Sequence, residues 1–426
     1  MRSFFRFMKG NILVLTITQI EWFFAMRMAS PYFSLYVLAL GGSATAIGFI
    51  NAFRPLASLF LYPIAGYIAD NMSRVKVIGI SRIFSALMYL FYIFAPNWPA
   101  LAAGSFFMGI FVFQFPAQSA ITADSLSPER RGVGYATLTA VPGAFSIIAP
   151  YVGAYIITKY GVNPGIRYLY TIVMVAGMVC AIIYLKFLKE TKKKSDSKIQ
   201  LQKGLSFIKE AYLGVWKTLK WMPSSLRALA LIMVVILFFT SLAGSFWVVY
   251  AVDVIKLTEL EWGLIILLMS ALRVGLAIPG GILADKFGKR KILIVALAAS
   301  TFPIFFFVYC RTVIQTLIVL LAIAVSNAFL MPTCSALLAD IVPREKRNSV
   351  MSVLVRGTLM INTQGGGGGG PRMGLLLTIP VILASIISGY VYSFNLTYPW
   401  FFLSSSLILC MILTLTLVKE PERPEL

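Results

Sequence analysis

Gly66-Tyr-Ile-Ala-Asp70-Asn-Met-Ser-Arg74-Val-Lys76 returns half a chain later as Gly281-Ile-Leu-Ala-Asp285-Lys-Phe-Gly288-Lys289-Arg-Lys291. Both copies end a long apolar run on an aspartate and open a basic turn. A second pair repeats further along, Pro116-Ala-Gln-Ser119-Ala120-Ile-Thr-Ala123-Asp124 and Pro332-Thr-Cys-Ser335-Ala336-Leu-Leu-Ala339-Asp340. The offsets agree, 285 − 70 = 215 and 340 − 124 = 216 residues. The chain is therefore two related halves in tandem. A repeat unit whose apolar runs stop at charged turns is a membrane bundle.

Composition points the same way. Apolar residues are 59% of the chain and charged residues 12%, against roughly 45–50% and 25% in soluble domains. At about 20 residues per crossing, twelve spans are predicted: 11–38, 43–69, 76–95, 99–124, 133–158, 166–188, 226–254, 260–284, 291–310, 313–340, 373–392 and 398–418. The expected fold is an all-α membrane protein with twelve transmembrane helices in two pseudo-symmetric six-helix bundles, 1–188 and 226–426, joined by a linker at 189–225.

A formal charge of +21 raises the question of nucleic acid, but the basic residues cluster in alternate loops. Arg2, Arg6 and Lys9 precede span 1. Arg74 and Lys76 follow span 2, Arg130 and Arg131 span 4, Lys286, Lys289, Arg290 and Lys291 span 8, and Arg344, Lys346 and Arg347 span 10. The opposite loops hold only Lys159, Arg167, Lys256 and Arg311. The positive-inside rule then places both termini in the cytoplasm of a multi-pass plasma-membrane protein. The charge is topological, with some attraction to lipid headgroups and none required for nucleic acid. Cys180, Cys310, Cys334 and Cys410 lie inside apolar spans without metal-ligand spacing and read as packing residues.

Two segments break the apolar pattern. In the linker, Leu201, Leu205, Ile208, Tyr212, Val215 and Leu219 recur at three- and four-residue steps among lysines, which predicts a helix lying on the inner leaflet. The region 349–372 has no counterpart in the first half. It contains Ser349–Ile361, too short to span, and the six glycines Gly365–Gly370, and reads as a flexible cytoplasmic insertion.

An ionisable group at bilayer depth is costly and by default marks a pathway. Four are counted as deep: Glu21 and Arg27 in span 1, Arg54 in span 2 and Arg273 in span 8. At 1.5 Å per residue, Arg27 and Arg54 each lie about 24 Å from the basic ends of their spans, Glu21 about 15 Å and Arg273 about 18 Å. The chain has no histidine, so proton coupling needs a carboxylate, and Glu21 is the deep candidate. Its expected partner is Arg54 or Arg273. The surplus of deep arginine suits an anion held by bidentate contacts. Gln19, Trp22, Gln114, Gln118, Ser241, Ser245, Tyr250 and Asn327 complete the candidate cavity. No nucleophile–base pair, metal cluster or nucleotide loop is visible, so neither an enzyme nor a cofactor is expected.

The loop Gly-x-Leu-Ala-Asp-x-x-Gly-x-Arg/Lys-Lys between spans 2 and 3, repeated between 8 and 9, resembles the signature loop of the major facilitator superfamily. In the first copy Ser73 replaces the second glycine and Val75 a basic residue. The resemblance covers nearly the whole chain and implies a monomeric secondary transporter of a small molecule, with one central cavity exposed to each side in turn. It further implies that Asp70, Arg74, Arg131, Asp285, Lys289 and Arg347 act in gating, with Asp285 facing the start of span 5 near Arg131 and Asp70 the start of span 11. Ala149-Pro150-Tyr-Val-Gly153-Ala154 resembles the span 5 motif of the family's proton-driven exporters, whereas the position four before Gly109 is Ser105 where those exporters carry arginine. The leading expectation is proton-coupled export of a lipophilic or amphiphilic compound. The alternatives are an organic-anion carrier using the buried arginines, and a non-transporting receptor or scaffold on the same fold.

Overall fold

The structure, a computed structural model, describes residues 8–127, 131–191, 212–343, 346, 350, 353–354, 360–364 and 374–420, and excludes the side chains of Pro63, Asp70, Arg131 and Leu375. Twelve helices among the described residues are long and apolar enough to cross a membrane: α1 (Asn11–Ala39), α2 (Ala44–Tyr62), α3 (Arg74–Ile93), α4 (Trp98–Asp124), α5 (Gly132–Tyr160), α6 (Val162–Phe187), α7 (Ser224–Asp253), α8 (Glu259–Phe287), α9 (Lys289–Phe307), α10 (Val313–Ile341), α11 (Leu376–Phe394) and α12 (Tyr398–Leu417). These are the spans the sequence predicts. Helix α2 runs on unbroken to Asn71.

Local sequence explains the ends and the breaks. Side chains of Ser43 and Thr312 cap α2 and α10, and Thr258 with Glu261 forms a capping box at α8. Helix α1 tightens into a 3-10 turn at Ser30–Tyr32, where Pro31 has no donor. Helix α4 breaks between Ile110 and Gln114, and α7 between Gly244 and Trp247.

The bundles meet at the end whose loops are poor in basic residues. There a Cβ on Gly48 of α2 would strike the Ser385 carbonyl, and one on Gly389 of α11 the Ala44 carbonyl, so the two backbones touch. On the other flank Gly153 of α5 rides on the Met28 carbonyl of α1, and Gly263 of α8 abuts Ala154. The exporter-like motif in α5 thus builds a three-helix crossing from small residues, reinforced by the Tyr32 hydroxyl donating to the Pro150 carbonyl at 2.6 Å.

At the basic end the halves part. Ile12, Leu15, Val77, Ile121 and Tyr184 form a small core of the first bundle alone, whereas one continuous core elsewhere joins Tyr32, Tyr36 and Ile47 to Trp247 and Trp262. The basic-side stretches of α5 and α8 carry mostly exposed residues. At this end no core cluster spans the two bundles among the described residues.

The described end of the linker is helical, whereas the insertion differs from expectation. Leu201, Leu205 and Ile208 lie outside the described residues, as do Gly365–Gly370. Residues 212–221 are helical. Val215 and Leu219 pack on the core and the Tyr212 hydroxyl donates to the Leu59 carbonyl of α2 at 3.2 Å. Within the insertion, residues 360–364 are not on the basic face at all. Ile361 is 1% and Thr363 4% exposed, seated among α7, α8 and α10 in the interior of the second bundle. The cause is Asn327, whose amide binds the Ile361 main chain in both directions.

Candidate functional site

In the first bundle a pocket between α1, α2, α3 and α4 is lined by Trp22, Arg54, Arg82, Ser85, Tyr89 and Gln114. Arg82 is a fifth deep charge that the count of four from the sequence omits. It sits near the centre of α3 (Arg74–Ile93), only 5% exposed, with its guanidinium 4.0 Å from the Trp22 ring. The stacking orients it, since a guanidinium lies face-on to an aromatic ring. Its Nε is buried without a hydrogen-bond partner. Arg54 makes no hydrogen bond or ion pair among the described residues. Gln114 is buried beside it, and Gln118, one turn further along α4, approaches the Tyr184 hydroxyl at 3.5 Å.

The equivalent region of the second bundle is lined by Met269, Arg273, Ala324, Asn327 and residues 360–364. Arg273 and Asn327 are the central residues of α8 and α10, so the segment lies at mid-membrane depth. Arg273 Nη1 contacts Met360 Sδ at 3.0 Å, and Gln364 Nε2 donates to Ser270 Oγ at 3.0 Å. Across the bundle interface, Arg27 of α1 comes near enough to Arg273 for the two charges to repel.

Several residues assigned to the cavity from sequence have protein partners or are buried in this structure. Asn51 Nδ2 donates to Ser245 Oγ at 2.7 Å, which ties α2 to α7 at the closed end. The Tyr250 hydroxyl donates to the Val308 carbonyl at 2.9 Å inside a cluster with Phe307 and Trp400. Ser241 and Gln19 are buried in helix packing. Asn327 holds the chain's own backbone.

Glu21 is not paired with Arg54 or Arg273, as the sequence reading had it. It accepts a hydrogen bond from the Cys180 thiol at 3.4 Å and feels the charge of Arg82. Its outer side lines an apolar groove between α1 and α6, with Ile20, Phe24, Met28, Ile172 and Val175. Ile172 and Val175 are 40% and 52% exposed. The groove faces the membrane.

The basic end carries matched charge networks in the two halves. Arg74 pairs with Asp124 at 2.5 Å and donates to Thr191 Oγ1 at 3.0 Å. Lys289 pairs with Asp340, and lies 3.9 Å from Asp285. Glu190 accepts from Ser73 Oγ at 2.6 Å and the Val75 amide at 3.3 Å, and Glu420 accepts from the amides of Lys289 and Arg290 at 2.9 and 3.1 Å. Each carboxylate follows the last helix of its bundle and caps the third, where the helix dipole favours negative charge. A repeated Lys-Glu pair, Lys189-Glu190 and Lys419-Glu420, marks them in the sequence. The Asp285 side chain is 72% exposed, with Lys289 as its partner among the described residues. Arg347 and the side chains of Asp70 and Arg131 lie outside the described residues.

Two six-helix bundles, joined at one end and parted at the other around a charged central cavity, define a membrane carrier. The sequence profile of the Major Facilitator Superfamily matches residues 15–355, and the chain belongs to that family. It is 22% identical over 302 residues, 68% of this chain and 70% of the other, to an uncharacterized MFS-type transporter of Methanocaldococcus jannaschii. Among solved structures it resembles a bacterial homolog of the human lysosomal transporter Spinster in an inward-facing, unoccupied conformation, at TM-score 0.68 and 16% identity over 97% of this chain and 98% of that one. The nucleoside transporter NupG gives 0.66 and 12% over 96% and 98%. The human organic anion transporter MFSD10 gives 0.62 and 16% over 95% and 98%. The protein is a secondary transporter of a small molecule, not an enzyme.

Proposed function

We propose that this transporter carries a small organic anion, bound mid-membrane by arginine. The observation that carries this reading is the guanidinium chemistry of the cavity. Arg54 and the Arg82 Nε have unspent donors, Arg27 and Arg273 repel across the interface, and no acidic side chain lines either pocket among the described residues. Such a site is balanced only when an anion enters it, and a charge-assisted guanidinium contact is about twice as strong as a neutral one. Trp22 and Tyr89 offer an aromatic wall for the body of the solute.

Glu21 supplies the coupling. Bound anion and Glu21 draw on the same Arg82 charge, so an anion in the pocket and a proton on Glu21 favour each other. That linkage makes the carrier a symporter of anion and proton. By the positive-inside rule both termini face the cytoplasm of the plasma membrane, and the described conformation is open to the inside. The gating roles of Asp70, Arg131, Asp285 and Arg347 belong to the outward-open state, in which the basic ends close.

A second reading is proton-driven export of a lipophilic amphiphile. What favours it is the apolar groove beside Glu21 and the exporter-like crossing at Pro150 and Gly153. Liposomes holding the purified carrier and a pH-sensitive dye separate the two. Organic anions driving proton entry support the first reading. Proton movement with lipophilic cations or neutral amphiphiles only, and none with anions, rules it out.

A further inference from the structure

We propose that Met360–Gln364 is a built-in occupant of the second bundle's half of the cavity, so that substrate is held against the first bundle alone. Irregular backbone at bilayer depth persists only where protein buries it or where it lines a cavity. Here the chain spends specific contacts to put it there. Asn327 Nδ2 donates to the Ile361 carbonyl at 3.0 Å while its Oδ1 accepts the Ile361 amide at 2.8 Å. This is a two-point clamp that mimics one rung of a β-ladder. Gln364 is fastened to Ser270, and the Met360 thioether covers the Arg273 guanidinium.

The two halves of the repeat thereby become unequal. Each contributes an arginine from its second helix, Arg54 or Arg273. Among the described residues Arg54 has no hydrogen-bond or ion-pair partner, whereas Arg273 is capped by a soft sulfur contact. The consequence is a restriction on substrate. A compact monoanion is expected to dock with its head on Arg54 and Arg82. A long dianion that would reach from Arg54 to Arg273 meets Met360 instead. This inference rests on the anion reading only for the class of ligand; the seating of the segment is independent of it.

The test has a structural and a functional arm, on the full-length carrier lacking Cys180, Cys310, Cys334 and Cys410. Thr363→Cys is 4% exposed at its native residue and is expected to react slowly with N-ethylmaleimide. Adding Asn327→Leu, which abolishes the clamp, is expected to speed labelling at least tenfold. Ile361→Pro, which removes the main-chain N–H, is expected to do the same and serves if the first variant does not fold. Fast labelling in the parent, or no acceleration in either folded variant, overturns the proposal. In the second arm, binding of linear monocarboxylates and α,ω-dicarboxylates is compared. The parent is expected to prefer monocarboxylates, and the released variants to gain at least tenfold for dicarboxylates of one length. Unchanged selectivity with released labelling overturns the role in substrate choice. If labelling behaves as expected but no carboxylate of either kind binds, the anion reading fails and the seated segment stands.

Discussion

Arg27 of α1 and Arg273 of α8 carry like charges on opposite bundles, near enough to repel, and neither forms an ion pair among the described residues. Both are half-buried, so water screens the repulsion only in part. An evolved protein keeps such a pair where a ligand resolves it.

Arg27→Gln is therefore expected to raise the melting temperature of the ligand-free carrier while weakening anion binding by roughly 10- to 100-fold, the value of one charge-assisted hydrogen bond. Arg54→Gln should weaken binding similarly. Thermal unfolding with and without a bound carboxylate checks both. A ligand-free carrier destabilised by Arg27→Gln, with binding intact, would make Arg27 a packing residue.

Coupling through Arg82 has a definite sign. If anion and proton favour each other, anion affinity rises as pH falls, and Glu21→Gln removes the slope without removing binding. Arg82→Gln should flatten the slope as well, because the shared charge is gone. Binding isotherms across pH 5 to 8 read this directly. A slope that survives Glu21→Gln assigns the proton to another group.

The closed end is built on backbone contact at Gly48 and Gly389. Overpacking a close contact typically costs 1–3 kcal/mol. Gly48→Leu and Gly389→Leu are thus expected to wedge α2 from α11 and shift the carrier toward the opposite conformation, with transport lost and expression retained. Cysteine labelling of Ser388→Cys from outside sealed cells should rise in Gly48→Leu. Unchanged labelling with normal transport would show that the two helices yield without a change of state.

Much of this was legible in the chain. The repeated Asp-to-basic turns gave two bundles and twelve spans, because a membrane span announces itself by length and composition. Arg82 was legible too, lying well inside the third span, and the Lys-Glu pairs at 189 and 419 repeat visibly. Side-chain direction was not. Glu21 and Trp22 are neighbours in sequence, yet a helical step of about 100° points one at α6 and the other at Arg82. Nor does a polar residue's depth reveal what it binds: Ser245, Tyr250 and Asn327 all met protein partners. The seating of residues 360–364 left no periodic trace, since five residues of irregular backbone have no helical or strand pattern to read.

The ion pairs at the basic end are duplicated but differently buried, which permits an internal comparison. The Asp340 carboxylate is 17% exposed and pairs with Lys289, whereas Asp124, paired with Arg74, is 46% exposed. Removing one member of a buried pair costs about 3–5 kcal/mol, and an exposed pair is worth about 0–1 kcal/mol. Lys289→Met should accordingly cost about 1–3 kcal/mol, between these limits. Asp124→Asn should cost less, because Arg74 keeps Thr191 and solvent as partners. Asp340→Asn placed on Lys289→Met should recover part of the loss, since the amide leaves no unpaired charge. Thermal unfolding of these three variants makes the comparison, and equal losses in the two halves would mean that solvent reaches Asp340 as freely as Asp124.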